Sequence, residues 1–227
     1  MIYEWLLLVI GTTFALLPIA NPISTAPVFL TLSRGIPPKR RDQQSRMAAI
    51  WMAVILIVSL AAGALVLEFF GISLPALRLA GGLVVAQIGF GMMKAEPASQ
   101  SELSDDSAAE AKRMSDIAFT PIAMPMLSGP GSIAVTISMA TEVERPREYL
   151  AVAVGIVIVS FVSWLFLNGA ARIGGFLGVT GLNAINRLMG FLLICIGVQF
   201  IGSAVLDALT APEFVEAIAK ARQGESS

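Results

Sequence analysis

The sequence contains no histidine, a single cysteine and few charged residues among its 227 positions. Histidine is the commonest general base and metal ligand, so its absence removes the usual basis for acid–base or metal chemistry. Cys195 has no second cysteine with which to form an intrachain disulfide or a cysteine metal cluster. No nucleophile–base pair is recognisable either. We therefore expect no enzyme, no cofactor and no metal site.

Charged residues are also scarce. Only 14% of the residues are charged, 56% are hydrophobic, and the mean hydropathy is +0.80. A soluble domain carries charge on about a quarter of its residues, so most of this surface must face lipid. The net charge of −1 also lacks the positive excess that nucleic-acid binding requires. The expected partner is the lipid bilayer, and no nucleic acid is expected.

Six segments of the chain approach or exceed the length of about 20 apolar residues that a membrane-spanning helix needs. Residues 94–116 between the third and fourth segments are predicted to form a polar cytoplasmic loop, and residues 209–227 a polar C-terminal tail. The sequence therefore predicts an all-α membrane protein with six transmembrane segments. These are residues 5–32, 47–70, 77–93, 117–140, 149–170 and 188–206.

A ten-residue motif occurs twice, as PIANPISTAP at residues 18–27 and as PIAMPMLSGP at residues 121–130. Its three prolines have the same spacing in both copies, so Pro22 of the first copy aligns with Pro125 of the second. Each copy lies in the first of three apolar segments, which indicates that residues 1–93 and 117–208 are two three-span repeats. Because an odd number of spans brings the second copy into the membrane from the opposite side, the repeats are inverted. Both belong to a single membrane domain.

Lysine and arginine are distributed unequally between the two sides of this six-span arrangement. Ten of them fall on one side and five on the other. Since cytoplasmic loops carry the excess of positive residues, we predict a multi-pass protein of the cell inner membrane with both termini outside. Arg78 and Arg187, which open the third and sixth segments, are expected to be interface anchors, and Asn183 and Asn186 are expected to be turn residues.

Three prolines within ten residues are expected to interrupt a membrane helix. Each proline leaves a carbonyl four residues earlier without its helical partner and pushes the preceding residue toward an extended conformation. In lipid, such backbone groups are tolerated only where protein or a water-filled cavity covers them. Spans 1 and 4 are therefore predicted to be proline-broken or re-entrant helices. Asn21-Pro22 suits the start of a half-helix, with asparagine as N-cap and proline at the first position, and Ser128-Gly129-Pro130 offers the same.

The two interruptions are predicted to meet near the bilayer midplane and to form a substrate site. Backbone N–H groups at a helix start suit a carboxylate and freed carbonyls suit an ammonium, so the expected ligand is a small zwitterion. Gln87 and Gln199 either line the same cavity or hydrogen-bond a neighbouring helix, and the glycines of the third and sixth spans are expected to be helix–helix contacts. The predicted substrate-binding residues are Asn21, Pro22, Ser24, Thr25, Ser128, Gly129, Pro130, Gly131 and Ser132.

The two motifs resemble those of the MarC family of bacterial and archaeal integral membrane proteins. The Asn21-Pro22 pair and the Gly129-Pro130-Gly131 run carry the resemblance, which extends from residue 5 to residue 206. It implies six spans in two related halves. Through members of the small neutral amino acid transporter type, it also implies movement of glycine and alanine. The residues that it places near the substrate are Asn21, Ser24, Thr25, Ser128, Gly129, Gly131 and Ser132.

The predicted function is secondary transport of small neutral amino acids by alternating access, in which one proline-broken half moves against the other. The coupling ion, whether a proton or another cation, is left open, as are the direction of transport and the oligomeric state. A channel or exporter for other small solutes is the nearest alternative. A non-transporting membrane protein with a structural or regulatory role, in which the prolines serve helix packing only, is the alternative from a different class.

Overall fold

The computed structural model describes residues 2–33, 35–94, 116–143 and 145–210, and every regular element within them is a helix. Nearly all of the predicted cytoplasmic loop and of the predicted tail lies outside the described residues. The prediction of an all-α protein is confirmed for the part described. Its eight helices are α1 (Ile2–Ala20), α2 (Pro22–Leu32), α3 (Pro38–Phe70), α4 (Leu74–Lys94), α5 (Ala118–Leu127), α6 (Pro130–Glu142), α7 (Pro146–Asn168) and α8 (Ala170–Thr210).

Five helices of the described part are long and apolar enough to cross a membrane, namely α1, α3, α4, α7 and the Thr180–Thr210 portion of α8. α5 and α6 reach that length only together, and they are bent by 64° where they meet. α2 is apolar but has only 11 residues. The described helices therefore provide five candidate spans, or six if the bent pair crosses as one, which fits a multi-pass membrane protein.

Two helices extend beyond the apolar runs that predicted them. α3 begins at Pro38, so it includes most of the basic stretch that precedes the apolar run. It ends at Phe70 and is capped by Gly71, whose φ of 65° favours glycine. Proline suits a helix start because its missing N–H would have no helical partner there. In α8 the chain is interrupted at Gly178, where φ is 60°, and the helix then resumes. Asn183 and Asn186 therefore lie inside a helix, and their prediction as turn residues is wrong.

α4 and α8 form the most extensive helix pair of the fold, and glycines bring their backbones together. A Cβ added at Gly82 would lie 2.7 Å from the carbonyl oxygen of Gly197, and one added at Gly89 would lie 2.5 Å from that of Gly190. No larger residue fits such positions unless a backbone moves. Residue numbers rise along α4 as they fall along α8, so the helices are antiparallel. These glycines are close contacts between helices, as their sequence positions predict.

The other helices pack around this pair and around a second pair formed by α3 and α7. α1 packs on α7 and α5 on α3, α2 packs on α8 and α6 on α4, and α2 and α6 also contact α7 and α3 respectively. The core between them is aliphatic, and Leu16, Met52 and Ile122 are fully buried in it. This packing carries the α1–α2 and α5–α6 connections into the interior, where Asn21 and Ser128 are buried.

Candidate functional site

The first junction is Asn21, where α1 ends and α2 begins. Asn21 has left-handed φ and ψ angles of 43° and 59°, a conformation that asparagine tolerates better than most residues other than glycine. Its N–H donates to the carbonyl of Leu17 at 3.0 Å, and its Oδ1 accepts the N–H of Ser24 at 3.4 Å. Asn21 is thus the N-cap of α2, and Pro22 occupies the first helical position, as the Asn-Pro pair predicts.

α5, which leads to the second junction, is an irregular helix. Its backbone hydrogen bonds span five residues, as from the N–H of Ile122 to the carbonyl of Ile117 at 3.4 Å. Thr120 and Met124 have extended φ and ψ angles, which is expected of residues that precede proline. The peptide bonds that follow these two residues are cis. The prolines of the second motif therefore replace a regular helix with wider and partly extended turns.

The second junction is Ser128-Gly129, where the chain bends by 64° between α5 and α6. Gly129 is the N-cap of α6 and Pro130 its first residue, and the N-cap makes no side-chain hydrogen bond to the first turn. A Cβ on Gly129 would lie 2.8 Å from the carbonyl oxygen of Pro125. The second junction therefore excludes the kind of capping side chain that Asn21 supplies at the first.

Aligning the two junctions by the residues that begin helices gives a different pairing from aligning the motifs by their prolines. Aligned proline by proline, the motifs set Pro22 opposite Pro125. Pro125 lies inside α5, however, and the residue that begins a helix as Pro22 does is Pro130. By this criterion the counterpart of Ser24 is Ser132, because each is the third residue of its helix. The pairing inferred from proline spacing is wrong at this point, because proline occurs both at helix starts and inside helices.

The start of α6 packs against the end of α1. Gly131 is the second residue of α6 and is buried, and a Cβ there would lie 2.8 Å from Cγ2 of Val85 and 3.3 Å from Cγ2 of Ile19. Ile19 is only two residues from Asn21 in sequence, so the two junctions are neighbours inside the bundle. The carbonyl end of α1 and the N–H end of α6 therefore lie side by side.

The serines of the second junction are sealed from solvent. Ser128 is 0% exposed and Ser132 is 1% exposed. The hydroxyl of Ser132 donates to the carbonyl of Leu127 at 3.3 Å, whereas the hydroxyl of Ser128 is buried without a hydrogen-bond partner. Only two other side-chain atoms in the described part of the chain share that state, Oγ of Ser163 and Nε1 of Trp164.

Side-chain hydrogen bonds tie the first junction to α4 and α8, and we call this group the Asn186 cluster (Asn21, Ser24, Met92 and Asn186). Nδ2 of Asn21 donates to Oγ of Ser24 at 2.6 Å and lies 3.2 Å from the sulfur of Met92. Oγ of Ser24 donates to Oδ1 of Asn186 at 2.6 Å. Uncharged groups therefore join α2, α4 and α8. Neither Met92 nor Asn186 was among the predicted site residues.

A second group, the Arg78 cluster (Arg78, Ser138, Glu142 and Asp207), joins α4, α6 and α8. Nε of Arg78 donates to Oγ of Ser138 at 3.0 Å, and the guanidinium pairs with the carboxylates of Glu142 and Asp207. The Arg78 side chain is 13% exposed, whereas those of Glu142 and Asp207 are 57% and 44% exposed. Beyond the interface anchor that its sequence position predicts, Arg78 connects three helices.

A pocket of about 330 Å³ opens beside the Arg78 cluster, where α1 and α7 begin and α6 ends. Glu142 belongs both to the cluster and to the pocket wall. Side chains of both signs line it, among them Glu4, Arg145 and Arg147, together with the ring of Trp5. The pocket therefore lies at the end of the bundle that the positive-residue count predicts to be outside.

The predicted site residues fall into two groups, one at each junction. Asn21, Pro22 and Thr25 are buried at the first junction, and Ser24 is half-buried. At the second junction, Ser128, Gly131 and Ser132 are buried, Gly129 is half-buried and Pro130 is exposed. Gln87 and Gln199 are exposed on α4 and α8, and their role as cavity residues stays a prediction. Among the residues that the structure describes, no three acidic or cysteine side chains form a metal-binding group.

Known proteins resemble this chain over most of its length. The family described as MarC family integral membrane protein matches residues 6–209. Proteins named inner membrane protein MarC from Salmonella typhimurium and Citrobacter koseri are 41% identical to it, and one from Escherichia coli is 40% identical. Each alignment spans 205 residues, which is 86% of this chain and 92% of the relative. No solved structure matches the chain.

Proposed function

Because this chain belongs to the MarC family of integral membrane proteins, we propose that it is a secondary transporter of small neutral amino acids such as glycine and alanine. We assign it to the inner membrane as a multi-pass protein, the location that its relatives' names state for them. The observation that carries the proposal is the adjacency of the α1 carbonyl end and the α6 N–H end, at Ile19 and Gly131. The opposite partial charges of two such ends suit the two charges of a zwitterion.

Transport by this route requires two inverted three-span repeats, each with a broken first span, and the spacing of helix starts supports them. Pro22 and Pro130 begin α2 and α6 and are 108 residues apart. Pro38 and Pro146 begin α3 and α7 and are also 108 residues apart. In this arrangement α1 with α2 forms the first span, and α5 with α6 forms the fourth.

The glycine contacts of α4 and α8 support the same offset. Gly82 and Gly190 are 108 residues apart, as are Gly89 and Gly197. An inverted repeat requires equivalent helices to run in opposite directions, and α4 and α8 are antiparallel. The repeat that these positions support is five residues out of register with the one that the proline motifs indicate.

Exchanging the two proposed repeats leaves the same pattern of contacts between helices. The exchange replaces α1, α2, α3 and α4 by α5, α6, α7 and α8. It turns the contact of α1 with α7 into that of α5 with α3, and the contact of α2 with α8 into that of α6 with α4. It also relates the contact of α2 with α7 to that of α6 with α3, and it leaves the α3–α7 and α4–α8 pairs in place. A twofold relation between the halves accounts for all of these contacts.

Alternating access needs a means of closing each end of the site, and the two polar clusters supply candidates. Arg78 lies four residues before Gly82, and Asn186 lies four residues before Gly190. Because α4 and α8 are antiparallel, these positions are at opposite ends of the helix pair. The Arg78 cluster joins the halves at one end and the Asn186 cluster joins them at the other. Opening one cluster at a time would expose the site to one side of the membrane.

The walls around the junctions favour a substrate with little or no side chain. Val85 and Ile19 lie so close to Gly131 that even one added carbon would touch them. The backbone groups of the junctions can bind the carboxylate and ammonium that all amino acids share, so selectivity has to come from this limited space. Glycine and alanine would require the smallest separation of α6 from these walls, so we propose them as the substrates.

Uptake of labelled glycine and alanine into proteoliposomes that contain the full chain tests the proposal. We expect saturable uptake of each, inhibited by the other, and a comparison with and without a pH gradient identifies proton coupling. Flux that rises linearly with concentration would instead indicate a channel, and saturable flux of other solutes alone would indicate an exporter of different specificity. If no small solute is bound or moved, a non-transporting structural or regulatory role replaces the transport proposal.

A further inference from the structure

The first turns of α2 and α6 differ in whether a side chain of the protein accepts a hydrogen bond from their free N–H groups. At the first junction, Oδ1 of Asn21 accepts the N–H of Ser24, so the start of α2 already has an acceptor. At the second junction, the N-cap Gly129 has no side chain, so the first turn of α6 has no side-chain cap. The first turn of a helix has N–H groups without helical partners and carries roughly half a positive charge. Of the two starts, only that of α6 lacks an acceptor side chain.

The hydroxyl of Ser128 provides an independent sign of a missing partner at this place. It is fully buried one residue before the N-cap of α6 and makes no hydrogen bond. A buried polar group without a partner costs about 1–3 kcal/mol, and native proteins contain only a few such groups. An anion at the start of α6 would satisfy this hydroxyl together with the N–H groups of Gly131 and Ser132.

The end of α1 presents the complementary group. Pro22 has no N–H, so the carbonyl of Pro18 has no donor four residues ahead. The last carbonyls of a helix carry roughly half a negative charge. This end lies beside the start of α6, because Ile19 packs against Gly131. A donor and a cation are therefore favoured at the end of α1, next to the place where an anion is favoured.

We infer that the carboxylate of the substrate binds the start of α6, at the N–H groups of Gly131 and Ser132 and the hydroxyl of Ser128, and that its ammonium binds the carbonyl end of α1. The inference rests on the proposed transport function and assigns the two charges to different halves of the molecule. Val85 and Ile19, which line the site, are apolar and add no charge. The partial charges of the two helix ends are therefore what the site offers to a charged ligand. A ligand with both charges close together matches both ends, whereas acetate or methylamine leaves one end unmatched.

This assignment gives one zwitterion site and not two. The equivalent position made by the end of α5 and the start of α2 is already filled by the chain, because Asn21 caps α2 and the hydroxyl of Ser132 donates to the carbonyl of Leu127. Ser128 and Ser132 are sealed in this structure, so substrate entry requires the start of α6 to separate from Val85 and Ile19. The structure therefore represents a closed arrangement of the site.

Glycine binding to the purified full chain, measured as thermal stabilisation in detergent, tests the inference with Ser128→Ala and the matched control Ser163→Ala. Both serines are fully buried with hydroxyls that lack partners, so neither substitution breaks a hydrogen bond in the closed state. We expect Ser128→Ala to raise the Kd for glycine about tenfold, as loss of a hydrogen bond to a charged group does. Ser163→Ala, on α7, should leave the Kd unchanged, and both variants should melt as the parent does.

Two ligands with a single charge complete the test. Glycinamide keeps the ammonium of glycine but lacks its carboxylate, so it should bind the parent more weakly and should not respond to Ser128→Ala. Acetate lacks the ammonium and should also bind more weakly than glycine. Equal Kd values for Ser128→Ala and Ser163→Ala, in a parent that transports glycine, would overturn the inference and leave the transport proposal intact. A parent that neither binds nor transports glycine or alanine would overturn both.

Discussion

The Arg78 cluster and the Asn186 cluster occupy matching positions at opposite ends of the α4–α8 pair, but their chemistry differs. Both Arg78 and Asn186 lie four residues before a glycine of the close α4–α8 contact. Arg78 connects α4 to α6 and α8 through two ion pairs and a hydrogen bond. Asn186 connects α8 to α2, and through Asn21 to α4, by neutral hydrogen bonds. In the proposed repeat, the position is retained while the interaction changes from ionic to neutral.

Because one cluster is ionic and the other neutral, the helices are held together with different strength at the two ends of the bundle. Hydrogen bonds between helices in membranes contribute about 0.6 kcal/mol on average. Breaking a fully buried ion pair costs about 3–5 kcal/mol, and exposure of about half of the Glu142 and Asp207 side chains reduces that cost here. We expect the end held by the Asn186 cluster to open more readily than the end held by the Arg78 cluster.

Replacement of Gly197 by leucine should have the largest effect, because it removes a close contact between α4 and α8, the helix pair to which both clusters belong. A Cβ at Gly197 would lie 2.6 Å from the carbonyl oxygen of Gly82 and 2.7 Å from the N of Ala86. Overpacking a close contact costs about 1–3 kcal/mol and occasionally more, and the high end is expected where backbone atoms are the obstacle. The matched control is Gly202→Leu on the same helix, where nothing lies within 4 Å of an added Cβ. Thermal unfolding in detergent should show a large loss for Gly197→Leu and almost none for Gly202→Leu.

Arg78→Met should also produce a large effect, similar in size to that of Asn21→Ala. Methionine replaces the unbranched stem of arginine but leaves Glu142 and Asp207 without their common cation, so we expect a loss of about 1–3 kcal/mol in the free energy of unfolding. Arg187→Met is the matched control, because Arg187 is exposed and has no ion pair in the part of the chain that the structure describes. Denaturant titration of the two purified variants measures the difference. Equal losses would show that the Arg78 cluster contributes nothing specific.

The helical architecture could be predicted from composition and spacing because it depends on local properties of the chain. Runs of apolar residues predicted the spans, and the Asn21-Pro22 pair predicted a helix start where the structure has one. The prolines of the second motif predicted an interruption, and the structure places the 64° bend at Ser128-Gly129. They could not predict the form of α5, because a freed carbonyl can be satisfied in several ways and packing decides which.

The two clusters could not be predicted, because they depend on contacts between distant parts of the chain. Ser24 and Asn186 are 162 residues apart, and Arg78 and Asp207 are 129 residues apart. Asn186 was predicted to be a turn residue, whereas only Gly178 departs from helical geometry in the described part of α8. The unpartnered hydroxyl of Ser128 is a property of packing, and nothing in the residue type or its spacing indicates it.

Asn21→Ala should lower the free energy of unfolding more than Asn21→Gly does. Alanine removes the N-cap, which costs about 0.5–2 kcal/mol, and it also disfavours the left-handed angles of this residue by about 1–2 kcal/mol. Glycine loses the capping side chain too but adopts those angles without strain. The free energy of unfolding should therefore rank the parent above Asn21→Gly, and Asn21→Gly above Asn21→Ala. The reverse order of the two variants would contradict the backbone geometry assigned to the first junction.

Asn186→Ala should have the smallest effect on stability, and it provides the direct test of the neutral cluster. The substitution removes the acceptor of the Ser24 hydroxyl, at a cost of about 0.6 kcal/mol. Asn183→Ala is the matched control, since Asn183 lies on the same helix and makes no side-chain hydrogen bond among the described residues. If the Asn186 cluster closes one end of the site, Asn186→Ala should make a cysteine introduced at the buried neighbour Thr25 react faster with a water-soluble thiol reagent, in a Cys195→Ser background. Asn183→Ala should leave that rate unchanged, and equal rates in the two variants would show that the Asn186 cluster does not hold its end of the bundle closed.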